Sequence, residues 1–365
     1  MPRPKRIAIA CGGTGGHLFP GIAVAEVLLE KDYEPILFVS QKPIDYEISA
    51  ERTEFIYEFL PAIGMPPVFS PRFLSFLFKL WQAIGLSRKA IRRYRADLVL
   101  GMGGFTSLPP LHAAKSLELP SLIHESNVIP GRANRWSAKV ATQVLLGFEQ
   151  ARDFFPKATV KVVGTPLRSH FQDRPSREQV RQELGLDLTK PVLAVLGGSQ
   201  GAQGVNEAIG RSYERLASAD IQLIHLTGTR NFEAMEEQAM KSSVRGRIAP
   251  FSHEMPSILA AADLVVSRSG ASSLTEIAAF SLPSLLIPYP HAADDHQRAN
   301  ARVFEEAGAA LMVEEADLRG DQLGHLVIGL LQDAPKRQAM VRATAAIARP
   351  QATEAVVQAV EALLA

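Results

Sequence analysis

Residues 7–17 read Ile-Ala-Ile-Ala-Cys-Gly-Gly-Thr-Gly-Gly-His, an apolar run that passes directly into glycines. The apolar run predicts a buried strand, and Gly21 to Lys31 carry apolar side chains at the spacing of a helix. Glycines between a strand and a helix let backbone N–H groups approach an anion, and the helix start adds positive potential. The competing interpretation is a tight turn that needs glycine only for its backbone angles. No Gly-Lys-Ser/Thr closes the stretch as in a Walker loop, and the second strand ends without the acidic residue of a dinucleotide fingerprint.

Short apolar runs recur along the chain and alternate with helical patterns, which predicts βαβ units and parallel sheets. Further strands are predicted at 36–40, 97–101, 121–124, 192–196, 221–226, 263–267 and 284–287. At residue 192 the opening repeats, because a strand again runs into glycines, Gly197-Gly-Ser-Gln-Gly-Ala202. The sequence therefore predicts an α/β protein with two doubly wound Rossmann-like domains facing across a cleft.

Prolines between residues 164 and 191 indicate the junction between the two domains. The expected domains are residues 1–164 and 165–365. The last helix, expected at 352–364, could pack on either domain, and the sequence leaves open which.

The composition is that of a globular protein with room for two cores. The chain has 365 residues, 47% apolar and 21% charged, which excludes disordered and fibrous classes. A net charge of +1 gives no overall attraction to nucleic acid. Cys11 is the single cysteine, so no disulfide can form within the chain and a reducing, cytoplasmic location is expected. No stretch approaches the roughly 20 apolar residues that span a bilayer.

Two polar stretches of the second half could hold a phosphorylated sugar. The loop at 197–202 repeats the first glycine loop, and the Ser199 hydroxyl can donate to a phosphate or sugar oxygen. The loop at 288–297 is bounded by prolines and could bind sugar hydroxyls through His296 and Gln297. Two glycine loops on facing domains favour ligand binding over two coincidental turns.

A third stretch, residues 267–276, reads Ser-Arg-Ser-Gly-Ala-Ser-Ser-Leu-Thr-Glu and leads from a strand into a helix. Its glutamate has two interpretations. In the first, Ser272 or Ser273 is the N-cap and Thr275 or Glu276 closes a capping box. In the second, the Glu276 carboxylate accepts hydrogen bonds from a ribose diol, while Gly270 and the next residue leave room for a diphosphate.

Five motifs carry a resemblance to a known family: residues 12–17, 124–127, 198–202, 267–276 and 295–297. In this order, across nearly the whole chain, they resemble the lipid I N-acetylglucosaminyltransferases of bacterial cell-wall synthesis. The resemblance implies a GT-B fold and inverting transfer of N-acetylglucosamine from UDP-N-acetylglucosamine to the muramyl 4-hydroxyl of lipid I, the undecaprenyl-pyrophosphoryl-muramyl-pentapeptide. It implies that the C-terminal domain holds most of the donor and the N-terminal domain the lipid.

The resemblance also implies a set of donor contacts in this chain. They are Thr14, Gly15, Gly16, Asn127, Arg168, Ser199, Ser252, Ala271, Ser272, Ser273, Leu274, Thr275, Glu276 and Gln297. At one of them the chain departs from the family pattern, because Ser252 follows Phe251 where an apolar residue is common. The resemblance implies that uracil is contacted there through the backbone, so serine should be tolerated.

The implied reaction needs a general base for the attacking hydroxyl. His17 is the first candidate, because it lies at the loop facing the cleft and imidazole titrates near neutral pH. Glu125 and His124 are the alternatives, although all three could serve only to shape their loops. No Asp-x-Asp occurs in the chain, so neither a metal ion nor another cofactor is expected.

A basic and apolar window without acidic residues extends from residue 59 to 96. Its apolar residues Phe73, Phe76, Leu77, Leu80 and Trp81 are the expected membrane contacts, with neighbouring cations attracted to anionic lipid. An amphipathic core helix followed by a solvated basic helix is the alternative. We expect peripheral association with the cytoplasmic face of the membrane, and no nucleic-acid partner, because the basic run is interleaved with apolar residues.

Two other functions remain open at this point. One is a UDP-sugar transferase that acts on another lipid acceptor, such as diacylglycerol or a lipid disaccharide. The other is a nucleotide-sugar-binding protein or epimerase. Release of UDP on addition of the lipid would exclude simple binding, and free sugar without an acceptor would indicate an epimerase.

Overall fold

The computed structural model describes residues 3–61, 64, 66, 70–171, 173–198 and 201–365. The chain divides into two compact units, Met1–Ser169 with Arg349–Ala365, and His170–Ala348. Each unit contains one parallel sheet with helices between the strands. The prediction of two doubly wound α/β domains is confirmed.

The first unit is built on a parallel seven-stranded sheet in the order β3-β2-β1-β4-β5-β6-β7. Its elements are β1 (Arg6–Ala10), α1 (Gly15–Glu30), β2 (Glu34–Ser40), α2 (Pro43–Glu51), β3 (Ile56–Leu60), α3 (Arg72–Tyr94), β4 (Leu98–Gly101), α4 (Gly104–Ser116), β5 (Ser121–Glu125), α5 (Arg132–Ser137), β6 (Gln143–Leu146) and β7 (Val160–Val162). The central strand β1 is buried on both faces, as parallel strands covered by helices are.

The second unit has a parallel six-stranded sheet in the order β10-β9-β8-β11-β12-β13. Its elements are α6 (Arg177–Glu183), β8 (Val192–Leu196), α7 (Gln203–Gly210), α8 (Tyr213–Ser218), β9 (Gln222–Leu226), α9 (Phe232–Ser242), β10 (Gly246–Ala249), α10 (Met255–Ala261), β11 (Leu264–Ser267), α11 (Ala271–Ala279), β12 (Ser284–Leu286), α12 (His296–Glu306), β13 (Ala310–Met312), α13 (Gln322–Gln332) and α14 (Ala334–Ile347). The strand β8 lies at its centre, so the glycine loop after it opens from the middle of the sheet.

The last helix, α15 (Ala352–Leu364), belongs to the first unit. Val356 and Val360 are fully buried in the core that α1 and β1 also line. Lys31 at the end of α1 donates to Glu361 at 2.9 Å. The sequence had left the position of this helix open and had ended the first domain at residue 164, whereas the first unit continues to Ser169 and takes up 349–365.

Helix α1 begins at Gly15, six residues before the start predicted from apolar spacing. Glycine and proline are poor helix formers, yet Gly15 and Gly16 form the first turn of this helix and Pro20 lies inside it. Tertiary packing outweighs the propensity here. A side chain at Gly21 would place its Cβ 2.3 Å from the Cβ of Cys11, so the helix needs glycine to lie this close to β1.

Candidate active site

The first glycine loop is held by the start of α2. Gly13 has a φ of +104°, which favours glycine. Its N–H donates to both carboxylate oxygens of Asp45, at 3.0 and 3.2 Å, and its carbonyl accepts from Lys42 Nζ at 2.8 Å. The buried Asp45 also accepts from the backbone N–H of Ser40 at 3.0 Å. No sequence motif marks this carboxylate, which comes five residues after β2 and accepts hydrogen bonds from the loop itself.

His17 lies in the first turn of α1, and its ring rests on a second glycine turn. Its Nδ1 is 3.0 Å from Thr14 Oγ1. Side chains at Gly103 and Gly104 would place Cβ atoms 2.9 and 3.0 Å from the imidazole ring, and both glycines have positive φ angles. These two glycines follow β4, and three glycines within residues 101–104 were the signal that the sequence analysis overlooked.

The environment of His17 keeps the imidazole neutral. Burial, with smaller contributions from His124 and Lys42, lowers the pKa of His17 to about 4. When Nδ1–H donates to the Thr14 hydroxyl, Nε2 carries no proton and can accept one. The imidazole is therefore unprotonated at neutral pH, as a group that takes a proton must be.

Glu125 is buried, with 2% of its surface exposed, and its two oxygens are occupied. One oxygen accepts from the backbone and side-chain N–H groups of Asn127 at 2.9 and 3.1 Å. The other accepts from Gly131 N–H at 3.1 Å and from Asn134 Nδ2 at 2.7 Å. Burial raises the pKa of the Glu125 carboxyl, while these four donors oppose the rise. The carboxylate therefore shapes the 126–131 loop.

His124 is also fully buried. Its Nε2 is 2.8 Å from the carbonyl oxygen of Gly164, and its Nδ1 is 3.3 Å from Ser126 Oγ. Burial lowers the pKa of His124 to about 4, so this ring is neutral. With both nitrogens used inside the protein, His124 ties β5 to the segment that follows β7.

Arg168, in the segment after β7, lies against the helix that follows the first glycine loop. Its guanidinium carbon is 4.3 Å from the ring centroid of Phe19 on α1. Thr14 is exposed at the N-cap position of that helix, and Gly15 and Gly16 form its first turn. The start of α1 thus brings together the predicted site residues of 14–17 with Arg168.

The second glycine loop follows β8 and precedes α7. Gly197 N–H donates to the carbonyl of Leu226 at 2.9 Å, and Gly198 and Gly201 have positive φ angles. The predicted donor contact at Ser199 lies outside the described residues.

Helix α11 begins at Ala271, with Gly270 at the N-cap position and no side-chain cap. The prediction that Ser272 or Ser273 caps this helix is therefore wrong, and so is the capping box. Thr275 Oγ1 instead donates to the carbonyl of Ala271 at 2.8 Å. The predicted contacts Ala271 and Leu274 are buried, so only their backbone groups are placed to meet a ligand. The half-buried Glu276 lies in the second turn, beyond reach of the N-cap.

A cavity of about 1050 Å³ in the second unit joins three of the predicted stretches. Its lining comprises Gly201, Ala202, Gln203, Gly204, Glu207, Arg230, Asn231, Arg268, Tyr289, Gln297 and Glu315. The second glycine loop, the 267–276 segment and the 288–297 loop therefore meet at one place, as a common ligand would require.

Hydrogen bonds and an ion pair fix the side chains of the cavity wall. Gln297 Oε1 accepts from the backbone N–H of Tyr289 at 3.0 Å. Arg268 donates to the carbonyls of Ile287 and Pro288 at 3.2 and 3.1 Å, and it forms an ion pair with Glu315. Tyr289 and Glu315 were not predicted as site residues, because no local motif distinguishes them from ordinary loop residues.

The predicted uracil contact, Ser252, lies in the loop between β10 and α10. Its Oγ accepts from the backbone N–H of Glu254 at 3.1 Å. The preceding Phe251 is half exposed. Ser252 is not among the residues that line the cavity. Among the described residues, no group of three or more His, Cys, Asp or Glu side chains is arranged to hold a metal ion.

Helix α3 carries the predicted membrane contacts, and the prediction is wrong for one of them, Phe76. Phe76 is buried, with the ring centroids of Phe105 and Trp136 at 6.1 and 6.5 Å, so its side chain packs inward and is not available to a membrane. Trp81 is 71% exposed and Leu77 is 41% exposed. The other two predicted contacts, Phe73 and Leu80, are half-buried.

The outer face of α3 is more apolar than the predicted residues alone indicate. Leu74 is 75% exposed and Phe78 is 59% exposed, and both lie on one side of the helix with Trp81. Within the described part of the chain, no helix combines the length and the apolar character needed to cross a bilayer.

Both halves of the chain match domains of one enzyme family. The glycosyltransferase family 28 N-terminal domain matches residues 7–146, and the C-terminal domain of the same family matches residues 192–358. The chain belongs to glycosyltransferase family 28. As a family 28 protein with the GT-B fold, it is a hexosyltransferase, as the sequence predicted.

Two relatives that align over nearly their whole length are named UDP-N-acetylglucosamine--N-acetylmuramyl-(pentapeptide) pyrophosphoryl-undecaprenol N-acetylglucosamine transferase. The relative from Geobacter sulfurreducens is 37% identical over 360 residues, which cover 96% of this chain and 97% of the relative. The relative from Halothermothrix orenii is 34% identical over 366 residues, or 98% of each chain. The crystal structure of Acinetobacter baumannii MurG is 26% identical, covers 98% of this chain and 100% of its own, and has a TM-score of 0.79.

Proposed function

We propose that the chain transfers N-acetylglucosamine from UDP-N-acetylglucosamine to the muramyl 4-hydroxyl of lipid I, giving lipid II for peptidoglycan synthesis. The observation that carries this proposal is the cavity of the second unit, where the three predicted sugar-nucleotide stretches meet. The names of relatives that match over nearly the full length specify both substrates.

The donor is proposed to bind in the second unit. The starts of α7 and α11 offer backbone N–H groups without helical partners, and these suit the diphosphate. Glu276 would accept hydrogen bonds from the ribose diol, and Gln297 at the cavity wall would bind sugar hydroxyls. Negative charge develops on the diphosphate as it leaves, and the same N–H groups would stabilise it.

His17 is proposed as the general base for the acceptor hydroxyl in the first unit. A neutral imidazole can take the proton as the oxygen attacks the anomeric carbon, and attack opposite the leaving diphosphate inverts that carbon. Glu125 and His124 are assigned to the positioning of the neighbouring loop, because their polar atoms are occupied by protein groups. Thr14 and Arg168 remain proposed contacts of the donor.

The exposed face of α3 is proposed to bring the enzyme to the cytoplasmic face of the membrane. Leu74, Phe78 and Trp81 present apolar surface. The second half of the helix carries exposed cations, among them Arg88 and Arg92, that would be attracted to anionic lipid. Both contributions are needed for stable interfacial binding.

Incubation with labelled UDP-N-acetylglucosamine and a lipid I analogue tests the proposed reaction. We expect transfer of label to the lipid with release of one UDP per sugar. Transfer to diacylglycerol but not to the lipid I analogue would show that the acceptor is diacylglycerol and not lipid I. Free sugar in the absence of any acceptor would indicate an epimerase instead.

A further inference from the structure

A chain of buried polar groups lies beneath the second glycine loop. Tyr213 Oη on α8 is 2.6 Å from His225 Nδ1 on β9. His225 Nε2 is 2.9 Å from Asn206 Oδ1 on α7. Asn206 Nδ2 donates to the carbonyl of Thr227 at 2.8 Å. All four residues are fully buried, and we call this set the relay.

The relay has a single hydrogen-bond direction, which its last member determines. A carbonyl only accepts, so the Asn206 amide must direct its NH₂ group to Thr227 and its oxygen to His225. The His225 Nε2 must then carry the proton, and Nδ1 must accept from the Tyr213 hydroxyl. The reverse direction would bring the Asn206 and Thr227 oxygens face to face. Burial lowers the pKa of His225 to about 3, which keeps the ring neutral, with one donor and one acceptor.

The end of the relay supports the glycine loop directly. A Cβ at Gly201 would lie 2.8 Å from the Thr227 carbonyl oxygen, so the loop packs against that oxygen. At the other end of the loop, Gly197 N–H donates to the carbonyl of Leu226. Both Gly197 and Gly201 therefore contact backbone carbonyls at the carboxyl end of β9. Gly201 also lines the cavity.

Burying a histidine in the middle of β9 costs free energy unless its ring nitrogens are hydrogen-bonded. The strand reads Gln-Leu-Ile-His-Leu and is buried along its whole length, where an apolar residue would ordinarily pack. An apolar side chain at 225 would leave Asn206 Oδ1 buried without its histidine donor, which destabilises the amide orientation. The Thr227 carbonyl would then lose a fixed donor.

We propose that His225 is a positioning residue for the nucleotide-sugar donor. It orients the Asn206 amide, which holds the Thr227 carbonyl and through it the glycine loop in the arrangement that binds the diphosphate. This inference rests on the proposed function, because it assumes that the loop binds UDP.

Three substitutions in the relay and one control test the proposal. Tyr213→Phe removes the first donor, His225→Leu removes the ring, and His225→Gln keeps an amide donor near the position of Nε2. Val327→Ala creates a cavity in the same core, outside the relay, and lowers stability without touching a polar group. For each variant, calorimetry gives the Kd for UDP, steady-state kinetics give the donor KM and kcat, and thermal unfolding gives the Tm.

We expect Tyr213→Phe and His225→Leu to raise the Kd for UDP and the donor KM about five- to tenfold, as the loss of one buried hydrogen bond implies. The kcat should change less than about twofold, and His225→Gln should recover part of the affinity. Val327→Ala should lower the Tm with the Kd unchanged. Parent-like UDP affinity in Tyr213→Phe and His225→Leu would overturn the inference, and so would an equal loss in Val327→Ala.

Nitrogen NMR of the parent provides a second measurement that needs neither a variant nor UDP. We expect His225 to be the Nε2–H tautomer, and the Nδ1–H tautomer would overturn the relay. A parent that binds no UDP would reject the proposed function together with this inference. A parent that binds UDP, with variants that bind it equally well, would reject the inference alone.

Discussion

Replacement of Glu125 by glutamine separates a positioning role of this carboxylate from a catalytic one. The carboxylate accepts from Asn127, Gly131 and Asn134 over distances of 2.7–3.1 Å, with 2% of its surface exposed. Glutamine keeps one of the two oxygens and places an NH₂ group at the other. Whichever way the amide is turned, its NH₂ group then faces two N–H donors and cannot accept from either.

The expected loss of stability follows from those two hydrogen bonds. Each bond to a charged group contributes about 1.5–3 kcal/mol, so Glu125→Gln should lower the free energy of unfolding by about 3–6 kcal/mol. Urea unfolding followed by circular dichroism measures this change. The control is Glu149→Gln, because Glu149 is exposed and its surface ion pair with Arg152 is screened by water, so its loss should leave the free energy of unfolding nearly unchanged.

Turnover of a soluble acceptor decides between the two roles. If Glu125 positions the loop, activity should fall in parallel with stability and recover in part on cooling. A Glu125→Gln protein that unfolds within about 1 kcal/mol of the parent yet has no turnover would refute the positioning role and identify Glu125 as the base.

Three further predictions concern the base, the donor and the membrane. Because the pKa of His17 is lowered to about 4, kcat/KM should hold its value as the pH falls from 8 to about 5.5 and decline only near pH 4; an acid limb centred near the ordinary imidazole pKa of about 6.5 would contradict this assignment. Glu276→Ala should weaken UDP binding about tenfold or more, since it removes a charged acceptor from the ribose, and calorimetry showing parent-like affinity would exclude that contact. Serine at Leu74, Phe78 and Trp81 together should lower liposome binding at least about tenfold and spare turnover of a soluble acceptor; unchanged sedimentation with liposomes would exclude α3 as the membrane contact.

The central strands were predictable from the sequence because they are buried on both faces. Such strands read as short continuous apolar runs, and Ile7–Ala10 and Val192–Leu196 were found this way. The strands that were not predicted are β3, β6, β7, β10 and β13, which are three to five residues long. Edge strands such as Val160–Val162 are half-exposed and include charged residues, here Lys161, so they lack a continuous apolar run.

The residues that contact the site residues in the folded chain were harder to predict from the sequence than the site residues themselves. Asp45 binds Gly13 across 32 positions of sequence, and no local pattern links the two. Phe76 sits among other apolar residues of α3, and only the packing of Phe105 against it shows that it faces inward. Motifs indicate which chemistry is present, whereas burial and hydrogen bonding decide which groups are open to a substrate.

The return of α15 to the first unit has a consequence for synthesis on the ribosome. The second unit is contiguous, from His170 to Ala348, so all residues of its core leave the exit tunnel before α15 does. The first unit emerges earlier, yet Val356, Val357 and Val360 complete its interior. Until translation reaches them, the groove along α1 stays open to water, so nascent chains stalled before residue 352 should attract chaperones and proteases.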